Sequence, residues 1–170
     1  NYTVTVKDQN GCQAVGQVAV NATPGGTAVI TANIPVTCNG FGNGSATGGG
    51  IGGFTAPLTY SWSNGQTTQT ATNLTPGTYT LFVQDFYGCK SNTTVVITQP
   101  AVLNFATSTS SVLCYNGSTG AASVTGISGG NPGYTFLWTP GGSTLSTASN
   151  LTAGVYSVTV IDTKGCNLTQ

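Results

Sequence analysis

The sequence predicts an all-β protein built from tandem β-sandwich modules, and two patterns carry that prediction. Apolar and polar residues alternate over runs of five or six residues, for example in residues 2–6 and 78–83. Such alternation is typical of half-buried strands. Gly, Pro and Asn turn signals separate the runs at intervals of about 8–12 residues, as in sandwiches of about seven strands. The expected module fold is immunoglobulin-like.

An internal repeat sets the organisation of the chain. Three segments align along their whole length, at residues 1–12, 78–89 and 155–166. Each ends in Asp-x-x-Gly-Cys, so that Cys12, Cys89 and Cys166 follow one another at intervals of 77 residues. Trp62 and Trp138 are 76 residues apart. Self-similarity of this kind indicates tandem modules with a period of about 77 residues.

The phase of the repeat divides the chain into three parts. We expect residues 1–24 to be the C-terminal part of a preceding module, residues 25–100 a complete module, and residues 101–170 a second module truncated at its last strand. Linkers near residues 22–27 and 99–102 each contain a proline, which restricts bending between modules. We therefore expect the chain to belong to a longer repeat polypeptide.

The composition excludes several classes of function. The chain has 170 residues, of which only three Lys and three Asp are charged, and it has no Arg, Glu or His. Nucleic-acid binding needs Lys and Arg to neutralise phosphates, and most acid–base and metal-hydrolase sites need His or Glu. We therefore expect no enzyme, cofactor, metal or nucleic-acid partner. Apolar runs of four or five residues are too short for a membrane span.

The cysteines predict structural disulfides. Cys38 and Cys89 enclose about 50 residues of one module, and Cys114 and Cys166 do the same in the next. The predicted pairs are therefore Cys38–Cys89 and Cys114–Cys166, with the partner of Cys12 in a missing part of the preceding module. The alternative, a metal site, lacks both a CxxC pair and His. Disulfides indicate an oxidising, extracellular setting.

The aromatic residues have a structural and a functional interpretation. Trp62 and Trp138 each lie in an alternating strand, which favours a place in the core, whereas exposed rings would be platforms for stacking sugars. Tyr79 and Tyr156 follow turns at the start of a strand, the position of a tyrosine corner. We assign all four residues to the structural core.

The three aspartates occupy one repeat position. Asp8, Asp85 and Asp162 each open an Asp-x-x-Gly turn, in which the carboxylate accepts hydrogen bonds from main-chain N–H groups. The alternative is a Ca²⁺ site, which needs about six to eight oxygen ligands. One Asp in each module argues against it. The lysines occupy unrelated repeat positions, which argues against an isopeptide crosslink.

The chain contains eight Asn-x-Ser/Thr sequons. Glycans on surface loops would solvate a nearly uncharged protein. The alternative is an unmodified Asn- and Thr-rich protein from an organism without the glycosylation machinery, and both interpretations stay open. Asn43 and Asn116 are interpreted as equivalent Asn-Gly-Ser loops. The candidate glycosylation sites are Asn21, Asn43, Asn73, Asn92, Asn116 and Asn150.

These motifs together resemble a known family. The motifs that carry the resemblance are Cys38-Asn39-Gly40, the Pro57-to-Gly65 stretch PLTYSWSNG, Pro76-Gly77-Thr78-Tyr79 and Asp85-x-x-Gly88-Cys89. Their order and spacing are similar to those of SprB-type repeats in large surface adhesins of gliding Bacteroidota. The second module departs at Cys114-Tyr115-Asn116-Gly117, which is interpreted as carrying one extra residue. The resemblance implies a tandem immunoglobulin-like stalk on cell-surface filaments, without catalytic residues.

The functional hypothesis is a non-catalytic structural or adhesive segment of a long extracellular fibre. Its expected partners are neighbouring repeats, like subunits joined by strand addition, and surface polysaccharide. The alternative is a spacer or carbohydrate-binding module of a secreted polysaccharide-acting enzyme, which exposed Trp62 and Trp138 would favour. A third hypothesis, ice binding through rows of Thr, lacks a sufficiently regular Thr ladder in residues 67–72.

Overall fold

A computed structural model describes residues 1–22 and 24–170, and these residues form fourteen β-strands and no helix. Thr23, in the first of the two expected linkers, lies outside the described residues. No helix in the described part of the chain is suited to crossing a membrane. The all-β prediction is confirmed, and every paired strand is antiparallel.

Six strands form what we call the first sandwich. They are β3 (Gly26–Ile34), β4 (Gly44–Gly52), β5 (Thr59–Trp62), β6 (Thr70–Leu74), β7 (Gly77–Gln84) and β8 (Lys90–Ile97). One sheet has the order β3-β4-β6 and the other has the order β5-β7-β8. The alternating residues Leu81 and Val83 of β7 are fully buried between the sheets, against Trp62 of β5. Gly48 of β4 leaves room for Leu81, since a Cβ at this position would lie 2.2 Å from Leu81 Cδ2.

Six further strands form the second sandwich. They are β9 (Asn104–Ser110), β10 (Gly120–Ser128), β11 (Thr135–Thr139), β12 (Thr147–Leu151), β13 (Ser157–Ile161) and β14 (Asn167–Thr169). The sheet orders β9-β10-β12 and β11-β13-β14 repeat those of the first sandwich. Phe105, Trp138, Val158 and Val160 form its core. Each sandwich thus has six strands, where about seven were predicted from the turn spacing.

The loops after β3 and β9 have the same conformation. Cys38 O accepts a hydrogen bond from Phe41 N at 3.1 Å, and Cys114 O accepts one from Gly117 N at 2.9 Å. Between them, Gly40 and Asn116 both have a positive φ, of 77° and 59°. Asn116 is therefore the counterpart of Gly40, since Asn tolerates the left-handed conformation. The second loop therefore has no extra residue, in contrast to the prediction from the sequence.

The first two strands form a separate hairpin. They are β1 (Tyr2–Lys7) and β2 (Gln13–Val18), which among the described residues pair only with each other. All their residues are exposed, including Val4 at 62% and Val6 at 63%. In sequence the hairpin aligns with β7 and β8, whose apolar side chains are buried by the opposite sheet. Its alternating valines therefore form a sandwich face that nothing in the described structure covers.

Candidate functional site: the junction between the sandwiches

In each sandwich an aspartate shapes the turn before the last strand, and that turn ends in a cysteine. Oδ1 of Asp162 accepts hydrogen bonds from Lys164 N at 2.8 Å and Cys166 N at 2.9 Å. Asp162 N also donates to Cys166 O at 2.9 Å. These bonds close the turn between β13 and β14 and fix the position of Cys166. The aspartate thus has the turn-capping role that its sequence position predicts.

The loop after β3 presents Cys38 to this turn. Oδ1 of Asn43 accepts a hydrogen bond from Thr37 N at 3.0 Å, and Asn43 Nδ2 donates to Thr37 Oγ1 at 2.7 Å. Cys38 is 4% exposed. The side chain of Asn43 therefore holds the residue that precedes the cysteine.

A disulfide joins the two sandwiches through Cys38 and Cys166, whose Cα atoms are 5.6 Å apart. The predicted pairs Cys38–Cys89 and Cys114–Cys166 are wrong. Cys89 and Cys114 are free and exposed, and so is Cys12, whose own partner was expected in the preceding module. The sequence prediction correctly identified Cys38 and Cys166 as disulfide cysteines but placed each bond inside one module.

The length of β8 explains why the predicted pair Cys38–Cys89 does not form. Val36 N donates to Thr98 O at 3.1 Å, so the loop that carries Cys38 lies at the C-terminal end of β8. Cys89 immediately precedes the N-terminal end of the same eight-residue strand. At about 3.4 Å per residue, the two cysteines lie roughly 25 Å apart. A disulfide needs Cα atoms within about 7 Å.

Asn131 adds a hydrogen-bonded bridge beside the disulfide. Its Nδ2 donates to Asp162 Oδ2 at 2.8 Å within the second sandwich and to Thr37 O at 3.0 Å in the first. Asn131 N also donates to Asp162 Oδ2, at 2.7 Å. The same amide group therefore orients the turn of Cys166 and contacts the loop of Cys38. Sequence reasoning missed Asn131 because nothing in a one-chain pattern distinguishes it from other loop asparagines.

The linker between the sandwiches is fixed from both sides. From the first sandwich, Asn39 Nδ2 donates to Pro100 O at 3.0 Å, and Gly40 N donates to Gln99 Oε1 at 2.8 Å. From the second sandwich, Gly130 N donates to Ala101 O at 2.9 Å. A cleft of about 370 Å³ lies between the two loops. Its lining includes Phe41, Val102, Leu103 and Leu168 beside the two bonded cysteines.

The carboxylates of the two sandwiches are stabilised in their charged form. The Thr55 N–H group, 3.0 Å from Oδ2, holds the pKa of Asp85 below its ordinary value, with help from the N–H groups of Cys89 and Tyr87 and against burial, which raises it. Burial also raises the pKa of Asp162. The bonds from Asn131, Cys166 and Lys164 outweigh that effect, so the pKa lies below its ordinary value.

The predicted aromatic core residues lie where a structural role requires them. Trp62 and Trp138 are 2% and 3% exposed, and each indole Nε1 donates to a main-chain carbonyl, of Thr68 and Leu145 respectively. Neither ring is an exposed platform for a sugar. Tyr79 and Tyr156 are partly buried. Each hydroxyl donates to the carbonyl four residues earlier, at 3.0 Å and 3.2 Å, which is the contact of a tyrosine corner.

All six candidate glycosylation asparagines are exposed, and two pairs need comment. Asn73 and Asn150 both have a positive φ at the ends of β6 and β12, so their local conformation is the same. Asn43 and Asn116 are not equivalent, in contrast to the sequence interpretation. The counterpart of Asn43 is Thr119, whose Oγ1 accepts from Leu113 N at 2.9 Å.

A groove of about 610 Å³ beside Trp138 belongs to the fold of the second sandwich. Gly120 and Leu151 line it. In the first sandwich the corresponding Gly44 lies against Ile97, whose Cγ2 would be 2.7 Å from a Cβ on that glycine. The groove therefore occupies the place that the end of β8 fills in the first sandwich.

Comparison with known proteins gives a family match but no whole-protein relative. No curated protein matches the chain significantly. The matched family is a structural repeat of cell-surface, adhesin-type proteins. Its match begins in β9, includes the loop of Cys114, and ends after β11. The model of the SprB repeat matches residues 106–143, and this stretch is therefore consistent with a SprB-type repeat.

Proposed function

We propose that this chain is a non-catalytic segment of a long extracellular fibre or adhesin stalk on a cell surface. In this proposal residues 25–100 and 101–170 are two successive modules, and the N-terminal hairpin within residues 1–24 is the end of another. The match to the SprB repeat supports the surface role. The observation that carries the proposal is the junction, where the Cys38–Cys166 disulfide and the hydrogen bond from Asn131 to Thr37 join the sandwiches and three further hydrogen bonds hold the linker.

The disulfide gives the junction a mechanical consequence. The two cysteines are 128 residues apart in sequence, and the linker at residues 99–102 lies between them. Tension applied to the ends of the chain passes from Cys38 directly to Cys166 through the sulfur atoms. Residues 39–165 then carry no tension, so neither the linker nor most of either sandwich can be pulled out. A stalk that transmits adhesive load without extending needs this property.

The surface composition is compatible with a passive structural role. The described residues contain no group of three or more His, Cys, Asp or Glu side chains placed to hold a metal ion. The carboxylates of Asp85 and Asp162 are occupied by main-chain N–H groups, two from the turn that each aspartate opens and one from Thr55 or Asn131 in a neighbouring loop. The buried indoles remove the feature on which a carbohydrate-binding function would depend. These observations favour the stalk over the carbohydrate-binding alternative.

Surface labelling of the producing organism tests the proposal. Antibodies raised against the 170-residue chain should label extended structures on intact, unpermeabilised cells in electron micrographs. An antibody against a periplasmic protein is the control and should label only permeabilised cells. Labelling by the first antibody that also requires permeabilisation would contradict a surface stalk.

The state of the sequon asparagines is settled by the intact mass of the natively sourced protein. Sugar-sized increments that disappear after deglycosylation would establish glycans on the exposed asparagines. A mass accounted for by polypeptide alone would leave an unmodified surface, which stays soluble through its Thr, Ser and Asn side chains.

A further inference from the structure

We propose that the Cys38–Cys166 bond is one instance of a disulfide that is repeated at each junction between modules. Cys114 then bonds to the Cys89-type cysteine of the module that follows it. By the same rule Cys89 bonds to the Cys38-type cysteine of the module before it. A run of modules is then joined by one disulfide at each junction. The inference rests on the proposed function only in requiring that such modules follow one another.

The turn that carries Cys89 already has the conformation of the bonded turn. Asp85 Oδ1 accepts from Cys89 N at 2.8 Å, and Asp85 N donates to Cys89 O at 3.0 Å. The corresponding distances at Asp162 and Cys166 are both 2.9 Å. Because the geometry is the same with and without a bonded partner, the turn is preformed for the disulfide. Cys89 is exposed and free to react.

The loop that carries Cys114 is likewise preformed. It shares with the Cys38 loop a hydrogen bond to the cysteine carbonyl and a left-handed residue two positions later. In both loops an acceptor side chain also holds the residue before the cysteine, Thr119 for Leu113 and Asn43 for Thr37. The burial differs, however. Cys38 is 4% exposed, whereas Cys114 lies between Leu113 and Tyr115, which are 83% and 96% exposed.

Exposed apolar side chains also lie beside Cys89. Phe86 and Tyr87 precede Cys89 in its turn and are 66% and 75% exposed, with their rings in edge-to-face contact at 5.1 Å. Adjoining exposed apolar side chains are typical of surfaces that another protein covers. The loop of Cys114 and the turn of Cys89 thus both carry uncovered apolar residues beside the cysteine that we propose to bond to a neighbouring module.

The bond forms by ordinary thiol–disulfide exchange. In vitro the oxidant is glutathione disulfide, and in a secretory compartment it is a dithiol oxidoreductase in its disulfide form. One protein thiolate attacks the glutathione disulfide, forms a mixed disulfide and releases one glutathione. The second protein thiolate then displaces the other glutathione. Two protein thiols thus lose two electrons and two protons, and the oxidant becomes two molecules of reduced glutathione.

A tandem chain provides the test, because the repeat fixes how two copies join in phase. Residues 155–166 align with residues 1–12, so Gln170 of one copy is followed by Gln17 of the next. In this chain Cys89 of the second copy follows Cys114 of the first at a separation within one residue of the 128 between Cys38 and Cys166. The unpaired Cys12 and Cys89 of the first copy and Cys114 of the second are changed to Ser to prevent mispairing.

The tandem chain is refolded in a glutathione redox buffer, alkylated and mapped by mass spectrometry. The expected result is a peptide that links Cys114 of the first copy to Cys89 of the second, with the loss of two alkylatable thiols. The Cys38–Cys166 linkage in each copy is the internal standard for correct folding. A matched variant with Cys89→Ser in the second copy should leave Cys114 as a free thiol.

Two results would overturn the inference. In the first, Cys114 and Cys89 stay alkylatable while Cys38–Cys166 forms. In the second, Cys114 bonds to Cys166 of the first copy and Cys38 bonds to Cys89 of the second copy, each within one sandwich. Small-angle X-ray scattering of the same sample distinguishes these failures from a failure of the proposed function. An extended particle with free Cys114 and Cys89 would refute only the repeated disulfide, whereas a compact, collapsed particle would refute the stalk.

Discussion

Asn131 of the second sandwich donates a hydrogen bond through Nδ2 to the Thr37 carbonyl of the first, at 3.0 Å. The two residues are 94 positions apart in the sequence. The same Nδ2 donates to Asp162, and Asp162 in turn fixes the main chain of Cys166. The amide therefore couples the disulfide turn of one sandwich to the disulfide loop of the other. Orientation between the sandwiches thus depends on a polar contact as well as on a covalent bond.

Replacing Asn131 should weaken the junction without unfolding either sandwich. Asn131→Thr introduces the residue type that the first sandwich has at the corresponding position, Thr55. There only the main-chain N–H group of Thr55 contacts the aspartate, Asp85. We expect a loss of about 1–2 kcal/mol in the free energy of unfolding, since the Thr37 and Asp162 acceptors each lose a side-chain donor. Urea denaturation monitored by tryptophan fluorescence measures it. Asn33→Ala, on the exposed side of β3, is the control, and an equal loss there would contradict the assignment.

Removing the disulfide should cost much more than removing the other cysteines. Cys38→Ser or Cys166→Ser should lower the free energy of unfolding by about 2–5 kcal/mol, because the bond closes a long loop in the unfolded chain. Cys89→Ser and Cys114→Ser are the matched controls and should change stability by less than about 0.5 kcal/mol, since both thiols are free and exposed. Equal losses from Cys38→Ser and Cys89→Ser would instead favour bonds within each module.

The cysteine pairing shows where sequence reasoning succeeds and where it fails. Alternation in residues such as Leu81 and Val83 predicts the strands and the core directly, because it depends only on local geometry. A disulfide depends on which ends of which strands meet. The number of residues between two cysteines does not show whether they lie at the same end or at opposite ends of a sandwich. The Val36–Thr98 hydrogen bond, which decides the matter, joins residues that no local pattern relates.

Loop equivalence was harder to predict than strand identity for a related reason. The Asn-Gly-Ser stretches at Asn43 and Asn116 match as letters, but the structure aligns Asn116 with Gly40. The physical requirement at that position is a positive φ, which both Gly and Asn satisfy. By contrast, the tyrosine corner was predictable because its turn and its hydroxyl acceptor lie within four residues of each other.

The tyrosine corner should contribute a measurable part of the stability of the first sandwich. Tyr79→Phe removes only the hydroxyl that donates to Thr75 O at 3.0 Å, and the ring can keep its packing against the core. We expect a loss of about 0.5–1.5 kcal/mol in the free energy of unfolding. Tyr87→Phe, at a 75% exposed ring, is the control and should be neutral. A Tyr79→Phe variant as stable as the parent would contradict a structural role for this hydroxyl.

Acid should destabilise the sandwiches through Asp85 and Asp162. Their pKa values are lowered in the folded chain by the donors described above, whereas an unfolded Asp has a pKa of about 3.9. The unfolded state therefore binds more protons in this range, and stability falls as pH decreases. The contribution is complete above the unfolded pKa and is lost as pH falls through the lower, folded pKa.

The pH effect is measured as the free energy of unfolding between about pH 6 and pH 2, a range that spans the titration of Asp. Asp162→Asn should lower stability at neutral pH and flatten the acid slope, because an amide cannot accept all the N–H groups that the carboxylate accepts. Asp8→Asn, in the exposed hairpin, is the matched control and should leave the slope of the sandwiches unchanged. An unaltered slope in Asp162→Asn would show that other groups cause the acid sensitivity.

Pulling single molecules should reveal the stretch that the disulfide removes from the load path. With handles at both termini that use no thiol, the oxidised chain can extend only through residues 1–38 and 166–170, because the sulfur bridge bypasses the rest. Reduction releases the 128-residue span, which adds roughly 45 nm of contour length at about 3.5 Å per residue. Cys166→Ser should show the longer extension without reductant, whereas Cys89→Ser should behave as the parent. Bonds within each module would instead shield two separate stretches of about 50 residues and leave the linker free to extend. An oxidised chain that extends to the full reduced length would show that the junction does not carry the load.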